Sequence, residues 1–167
     1  MPPAPHAPQK VSSKRAAPAN PSLRRILALD YGRARIGLAL ADADARIARP
    51  LGLIARKNRN EDMRRLREII REHGVRQIVV GLPLRLDGTP GEMAEEAGRF
   101  AERIRKQIGL PVEMVDERLT SWEAAQSGGK NRKQEGKDSV DALAAALILR
   151  EYLEQTATTN ATATEKA

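Results

Sequence analysis

Ile26-Leu27-Ala28-Leu29-Asp30-Tyr31-Gly32-Arg33-Ala34-Arg35-Ile36-Gly37-Leu38-Ala39-Leu40 is the stretch on which the reading of the fold turns. Four apolar residues run up to an aspartate, as in a strand covered on both faces. A Tyr31-Gly32 turn follows, and residues 36–40 read as a second strand. Residues 47–54 give a weaker third strand, which Pro50 confines to an edge or a bulge. The connections are too short for helices, so these strands pair as antiparallel hairpins.

Beyond residue 55 the period changes. Met63, Leu66, Ile69 and Ile70 recur at helical spacing within residues 61–73, and Gly74 is the stop. Residues 77–82 read as a buried strand through Ile78, Val79 and Val80. Residues 92–108 form a helix with Ala97, Phe100, Ala101, Ile104 and Ile108 on its apolar stripe. A strand over 112–115 runs into Asp116-Glu117. A short helix starts at 120–126, a polar loop covers 128–137, and residues 139–153 form a strongly apolar helix. The order βββαβαβα implies an α/β fold. Its sheet is mixed and five-stranded, three antiparallel hairpin strands and then two parallel ones, flanked by helices.

The 167 residues suit one domain with tails. Residues 1–22, rich in Pro, Ala and Ser, read as a disordered basic arm, and 156–167, rich in Thr and Ala, as a disordered tail. The domain is expected over 23–155. The net charge is +7; Lys10, Lys14 and Arg15 account for +3 and the tail for none, which leaves +4 on the body. A basic body points to a polyanionic partner such as nucleic acid. Only Tyr31, Phe100, Trp122 and Tyr152 are aromatic, which argues against a base-stacking platform and makes phosphates the handle. There is no cysteine, so disulfides and thiolate metal sites are excluded. With only His6 and His73 for imidazole, a metal site must be built from carboxylates, which suit Mg²⁺ or Mn²⁺. No apolar run approaches the ~18 residues of a membrane span, and no signal-type stretch opens the chain, so the expected location is the cytoplasm.

Four constellations could carry chemistry. Asp30 ends a buried strand beside a glycine turn, where it can offer an oxygen ligand or merely accept turn hydrogen bonds. Asp116 and Glu117 end the last strand; alternation sends them to opposite faces, and the pattern does not say which one faces Asp30. Asp116 could equally pair with Arg118, and Thr120 with Glu123 fits a capping box. Asp141 sits early in the last helix, where acids favour the positive end, yet it shares a face with Ala145, Ile148 and Tyr152. The loop over 128–137, with Lys130, Arg132, Lys133 and Lys137 against Glu135, is either a solvated run or a basic flap over a phosphate site. Asp87-Gly88-Thr89-Pro90 reads as a turn, and His73 as a helix-end residue.

Taken in order, these segments resemble the YqgF/RuvX family of the RNase H-like superfamily. The resemblance rests on Asp30-Tyr31-Gly32 with Arg35-Ile36-Gly37, on Val79-Val80-Gly81-Leu82-Pro83-Leu84 with Asp87-Gly88-Thr89, on Asp116-Glu117-Arg118-Leu119-Thr120-Ser121, and on Val140-Asp141-Ala142-Leu143. It covers residues 26–152. Members are described as nucleases of the pre-16S rRNA 5′ end and as Holliday junction resolvase-like. The resemblance therefore implies an acidic site of Asp30, Glu117 and Asp141, choosing Glu117 over Asp116. It also implies a divalent-metal-dependent phosphodiester nuclease using two Mg²⁺ (or Mn²⁺) ions ~4 Å apart. Its products would carry 5′-phosphate and 3′-hydroxyl ends. Arg33, Arg35, Arg118, Lys130, Arg132, Lys133 and Lys137 would position the nucleic acid backbone, making activity salt-dependent. Ala34 departs from the Lys that many relatives carry before the arginine. Expected partners are pre-16S rRNA or branched DNA and the ribosomal small subunit, for a monomer or a homodimer. Alternatives are a DNA junction endonuclease, a non-catalytic RNA-binding assembly factor, and an actin-like ATPase, for which the chain supplies only one of two halves.

Overall fold

The computed structural model describes residues 24–44, 46–118 and 137–164, the stretches 137–139 and 160–164 as backbone alone. In chain order the elements are β1 (Arg25–Tyr31), β2 (Arg35–Asp42), β3 (Ile47–Ala55), α1 (Arg59–His73), β4 (Val75–Leu82), α2 (Glu92–Ile108), β5 (Val112–Asp116) and α3 (Lys137–Thr164). The strands form a five-stranded sheet of order β3-β2-β1-β4-β5. β1 pairs antiparallel with β2, and β2 with β3; β1–β4 and β4–β5 are parallel. This is the mixed sheet that the alternation of apolar runs implies.

Every second residue of a strand faces the same way. Leu27 and Leu29 of β1 with Ile36, Leu38 and Leu40 of β2 pack against Met63 and Leu66 of α1 and Phe100 and Ile104 of α2. Ile26 and Ala28, Ala39 and Ala41, Val79 and Val115 face the other way, against Ala145, Ile148, Leu149 and Tyr152 of α3. α1 and α2 thus cover one face and α3 the other. Pro50 lies in the edge strand β3, beside a register shift where Leu38 faces Gly52 and Ala39 faces Pro50. An edge strand tolerates the missing donor.

Several boundaries differ from the sequence reading, and three of them have a clear physical reason. α1 begins at Arg59 because the Asn58 side chain accepts from the Glu61 N–H at 2.9 Å, an N-cap that the apolar spacing does not register. It ends at Gly74, in the left-handed region at φ 63°. β4 begins at Val75, paired with Arg25 across a bulge. α3 does not stop at Leu153: the expected disordered tail is helical as far as Thr164. There the hydroxyls of Thr156, Thr158 and Thr159 donate to carbonyls three or four residues back, which lets threonine sit within a helix. The basic arm, the helix expected at 120–126 and the loop expected at 128–137 lie outside the described residues, except that Lys137, placed by the sequence in the loop, is the first residue of α3.

Candidate active site

Asp30 is the next-to-last residue of β1 and lies on the α3 face, in line with Ile26 and Ala28. Its partner across the β1–β2 ladder is Gly37. A Cβ on Gly37 would stand 2.0 Å from the backbone oxygen of Asp141, so only glycine lets the start of α3 lie directly on β2. That approach brings Asp141 to the strand end. Its helical neighbours on the inward face, Ala145, Ile148 and Tyr152, are buried as their spacing requires.

The choice between Asp116 and Glu117 follows from alternation once the faces are known. Glu113 meets the Tyr152 hydroxyl and Val115 packs on α3, so Glu117 continues the α3 face and Asp116 the opposite one. The Glu117 N–H prolongs the β4–β5 ladder by donating to the Leu82 carbonyl at 3.1 Å. Its carboxylate lies over Gly81: a Cβ there would stand 2.0 Å from Oε1 and 2.6 Å from Cδ1 of Ile148. Asp116 is held by the Arg118 guanidinium, which donates through Nε to Oδ2 at 2.8 Å.

Electrostatics separates these two neighbours. The hydrogen bond from Arg118 draws Asp116 below the ordinary carboxylate range. Burial, with repulsion from Asp30 and Asp116 added, pushes Glu117 up to about 7. Burial and then the nearby Asp141 push Asp30 up to about 6. Asp30 is therefore the middle of the acidic group, sensing Asp141 and sensed by Glu117. Arg35 Nε lies 2.7 Å from Asp141 Oδ2, a charge pair in which that buried oxygen nevertheless has no hydrogen bond. At so short a distance only direction can fail, so the N–H does not aim at the oxygen.

The donor set fits a hard divalent cation. It is all carboxylate oxygen, it includes a buried oxygen without a hydrogen bond, and its mutual repulsion is a cost that a cation would relieve. Among the described residues, however, no three acidic or histidine side chains are already drawn around one point. The backbone aligns these acids on one face; their side chains still have to close.

The turn that carries Asp30 is braced from beneath by residues that sequence reasoning missed. Asp62 is the one fully buried charged side chain among the described residues. It accepts from Arg56 Nε at 3.1 Å and from the Lys57 N–H at 3.0 Å. Arg56 then donates to the Tyr31 hydroxyl at 2.9 Å and the Gly32 carbonyl at 3.1 Å, and lies over the Tyr31 ring. Tyr31 passes the chain to Glu96, which also holds Arg33. An arginine just after β3 and an aspartate in the first turn of α1 are the only signal in the sequence, and it resembles ordinary helix-end chemistry.

Of the expected backbone-positioning cations, Arg33 pairs with Glu92 and Glu96, Arg35 with Asp141, and Arg118 with Asp116. Each would have to exchange a carboxylate for a phosphate. Lys130, Arg132 and Lys133 lie outside the described residues, and of Lys137 only the backbone is described. His73 ends α1, its carbonyl accepting from Arg25 at 2.8 Å, far in role from any ligand. Asp87 receives the Thr89 N–H and hydroxyl, the turn expected of it.

A family model described as RuvX, Holliday junction resolvase, matches residues 24–155. A protein of Anaeromyxobacter sp. (strain K), named "Putative pre-16S rRNA nuclease", is 44% identical over 137 residues, covering 80% of this chain and 98% of its own length. One from Koribacter versatilis with the same name is 45% identical over 134 residues, covering 78% of this chain and 87% of its own length. Among solved structures, Thermus thermophilus RuvC matches at a TM-score of 0.51 with 14% identity, over 81% of this chain and 98% of its own. At that identity the likeness concerns the fold, and it is the RNase H-like fold.

Proposed function

The chain belongs to the RuvX family, and from that premise we propose that it is a nuclease that processes the 5′ end of pre-16S rRNA with the help of divalent ions. The observation that carries the reading is the alignment of Asp30, Glu117 and Asp141 on the α3 face, at the ends of β1 and β5 and the start of α3. Ligands of open α/β sheets gather at the carboxyl ends of the strands.

Asp30, the middle acid, would hold divalent ions such as Mg²⁺ or Mn²⁺ together with Glu117 and Asp141. When bound, such ions neutralise the charge that develops on the attacking and leaving oxygens of a phosphodiester. The protein's part is to present ionised carboxylates, so activity rises with pH as Glu117 and Asp30 lose their protons. Arg35 is released from Asp141 and turns to a substrate phosphate, as do Arg33 and Arg118 at the rim. No described histidine lies at the site, and none is needed, because a carboxylate set serves both as ligand and as proton acceptor. The nucleic acid partner accords with the basic body, and a nuclease of pre-rRNA works in the cytoplasm, where bacterial ribosomes are built.

The test is cleavage of end-labelled pre-16S rRNA and of a four-way DNA junction with Mg²⁺, beside Asp30→Asn. Wild-type cutting of the rRNA that disappears in the variant is the expected result. Cutting of the junction alone would make the protein a resolvase. Cutting of neither substrate in any divalent ion would leave an RNA-binding assembly factor.

A further inference from the structure

The ends of α1 and α2 enclose a groove of about 670 Å³ at the start of β4. Its floor is apolar: Ile70, Ile108 and Leu110, half-buried against the core, with the buried Val75 between them. Gly74 stops α1 at the edge of the groove, and a Cβ there would meet nothing within 4 Å, so the recess is open. Arg67, Arg71 and Arg76 stand around it, and among the described residues no acid does.

These arginines differ from others on the same helix. Arg64 and Arg65 pair with Glu61 and Glu68. Arg67 donates to the neutral Gln107 at 3.3 Å, and among the described residues neither it nor Arg71 nor Arg76 forms an ion pair. The C-terminal ends of α1 and α2 contribute about half a negative charge each. Against three guanidinium groups that leaves the groove with a net charge of roughly +2. A polynucleotide would satisfy the arginines and leave the aliphatic floor bare. A peptide that carries carboxylates beside aliphatic side chains matches both, in the arrangement of apolar centre and charged rim that protein interfaces share.

We propose that this groove docks a short acidic and aliphatic segment of a partner protein. The aliphatic side chains of the segment lie on Ile70, Ile108 and Leu110, and its carboxylates take charge-assisted hydrogen bonds from Arg67, Arg71 and Arg76. The fold keeps this contact apart from the acids. Val75 opens β4, whereas Gly81, under the Glu117 carboxylate, lies near its other end. At the rise of a strand the two are roughly 20 Å apart. A docked segment therefore leaves the strand ends at Asp30 and Glu117 uncovered, and the partner can hold the protein while the acids meet a substrate. That consequence rests on the nuclease reading; the docking itself does not.

The experiment follows fluorescence anisotropy with the full chain and a labelled octapeptide of alternating Glu and Leu. Two control peptides carry Gln for every Glu or Ser for every Leu. The wild type is expected to bind the Glu/Leu peptide and to bind each control about tenfold more weakly or worse. Arg71→Gln combined with Arg76→Gln, both at exposed positions, should weaken the Glu/Leu peptide about tenfold at low salt and less at high salt. Mg²⁺-dependent RNA cleavage by that variant should equal the wild type's. On titration, the amide resonances that shift should be those around Ile70, Val75 and Leu110. Absence of peptide binding, equal affinity for all three peptides, or shifts centred elsewhere would overturn the proposal. So would an octanucleotide RNA that binds the wild type in EDTA more tightly than the peptide and loses that affinity in the double variant, which would make the groove a nucleic acid site. A protein that binds the peptide at these residues but cuts nothing with Mg²⁺ would refute the nuclease reading and leave the docking standing.

Discussion

The two faces of the sheet are built to opposite demands. Towards α1 and α2 the strands present Leu27, Leu29, Ile36, Leu38 and Leu40, large side chains that meet Met63, Phe100 and Ile104 with almost no exposure. Towards α3 they present Ala28, Ala39 and Ala41, and at the site end Gly37 and Gly81. Large residues hold the first pair of helices by volume. Small ones on the second face admit α3 until its backbone touches β2, and in the space so left they admit three carboxylates. One face supplies stability, and the other gives some of it up to the buried acids on which the proposed chemistry rests.

The sharpest separation comes from an acid of the second face. Asp141→Asn is expected to lower the cleavage rate roughly 10³-fold or more, with the circular dichroism spectrum and melting midpoint retained. A retained rate would place the chemistry elsewhere. On the first face, Leu27→Ala empties a fully buried site and should cost ~2–5 kcal/mol in urea unfolding, with the rate per folded molecule unchanged. Gly81→Ala alters no acid, yet its methyl occupies the place of Glu117 Oε1. Activity should fall ~10–100-fold, as when the support of a ligand is disturbed. Wild-type activity in that variant would show that Glu117 can work from another position.

The smallest effect concerns pH, and its sign is opposite to that of an ordinary salt bridge. Asp30 and Glu117 have folded-state values of about 6 and about 7, above the 3.8 and 4.5 of the free groups, burial being the main cause. Their contribution to stability is thus present below pH 4 and is lost as pH rises through 6 and 7. In EDTA, Asp30→Asn should stabilise the protein by ~1–3 kcal/mol at pH 8 and by much less at pH 4. A variant less stable than wild type at pH 8 would mean that Asp30 is held by favourable contacts instead.

Much of this was legible in the sequence because periodicity reports faces. The run from Ile26 to Leu40, the helical stripe ending at Gly74 and the stripe of α2 all appear as read. The alignment of Asp141 with Ala145, Ile148 and Tyr152 likewise survives as a packed face. Other parts depend on contacts between distant segments, which no local pattern contains. Asp116 and Glu117 cannot be told apart until Val115 is known to pack on α3. Gly37 and Gly81 look like common strand glycines until the helix above them is in place. Arg56 and Asp62 find their meaning only when β3 and α1 bring them under the Tyr31 turn. Helix ends set by side chains, as at Asn58, or extended by threonine hydroxyls, as beyond Leu153, also escape an apolar count.

The proposed chemistry depends most on which side of β5 faces the substrate. Its direct test is Mg²⁺-dependent cleavage of pre-16S rRNA by Glu117→Gln and Asp116→Asn, measured side by side. Glu117→Gln should be inactive, and Asp116→Asn should cut within a fewfold of wild type after losing only its pairing with Arg118. An inactive Asp116→Asn beside an active Glu117→Gln would contradict it.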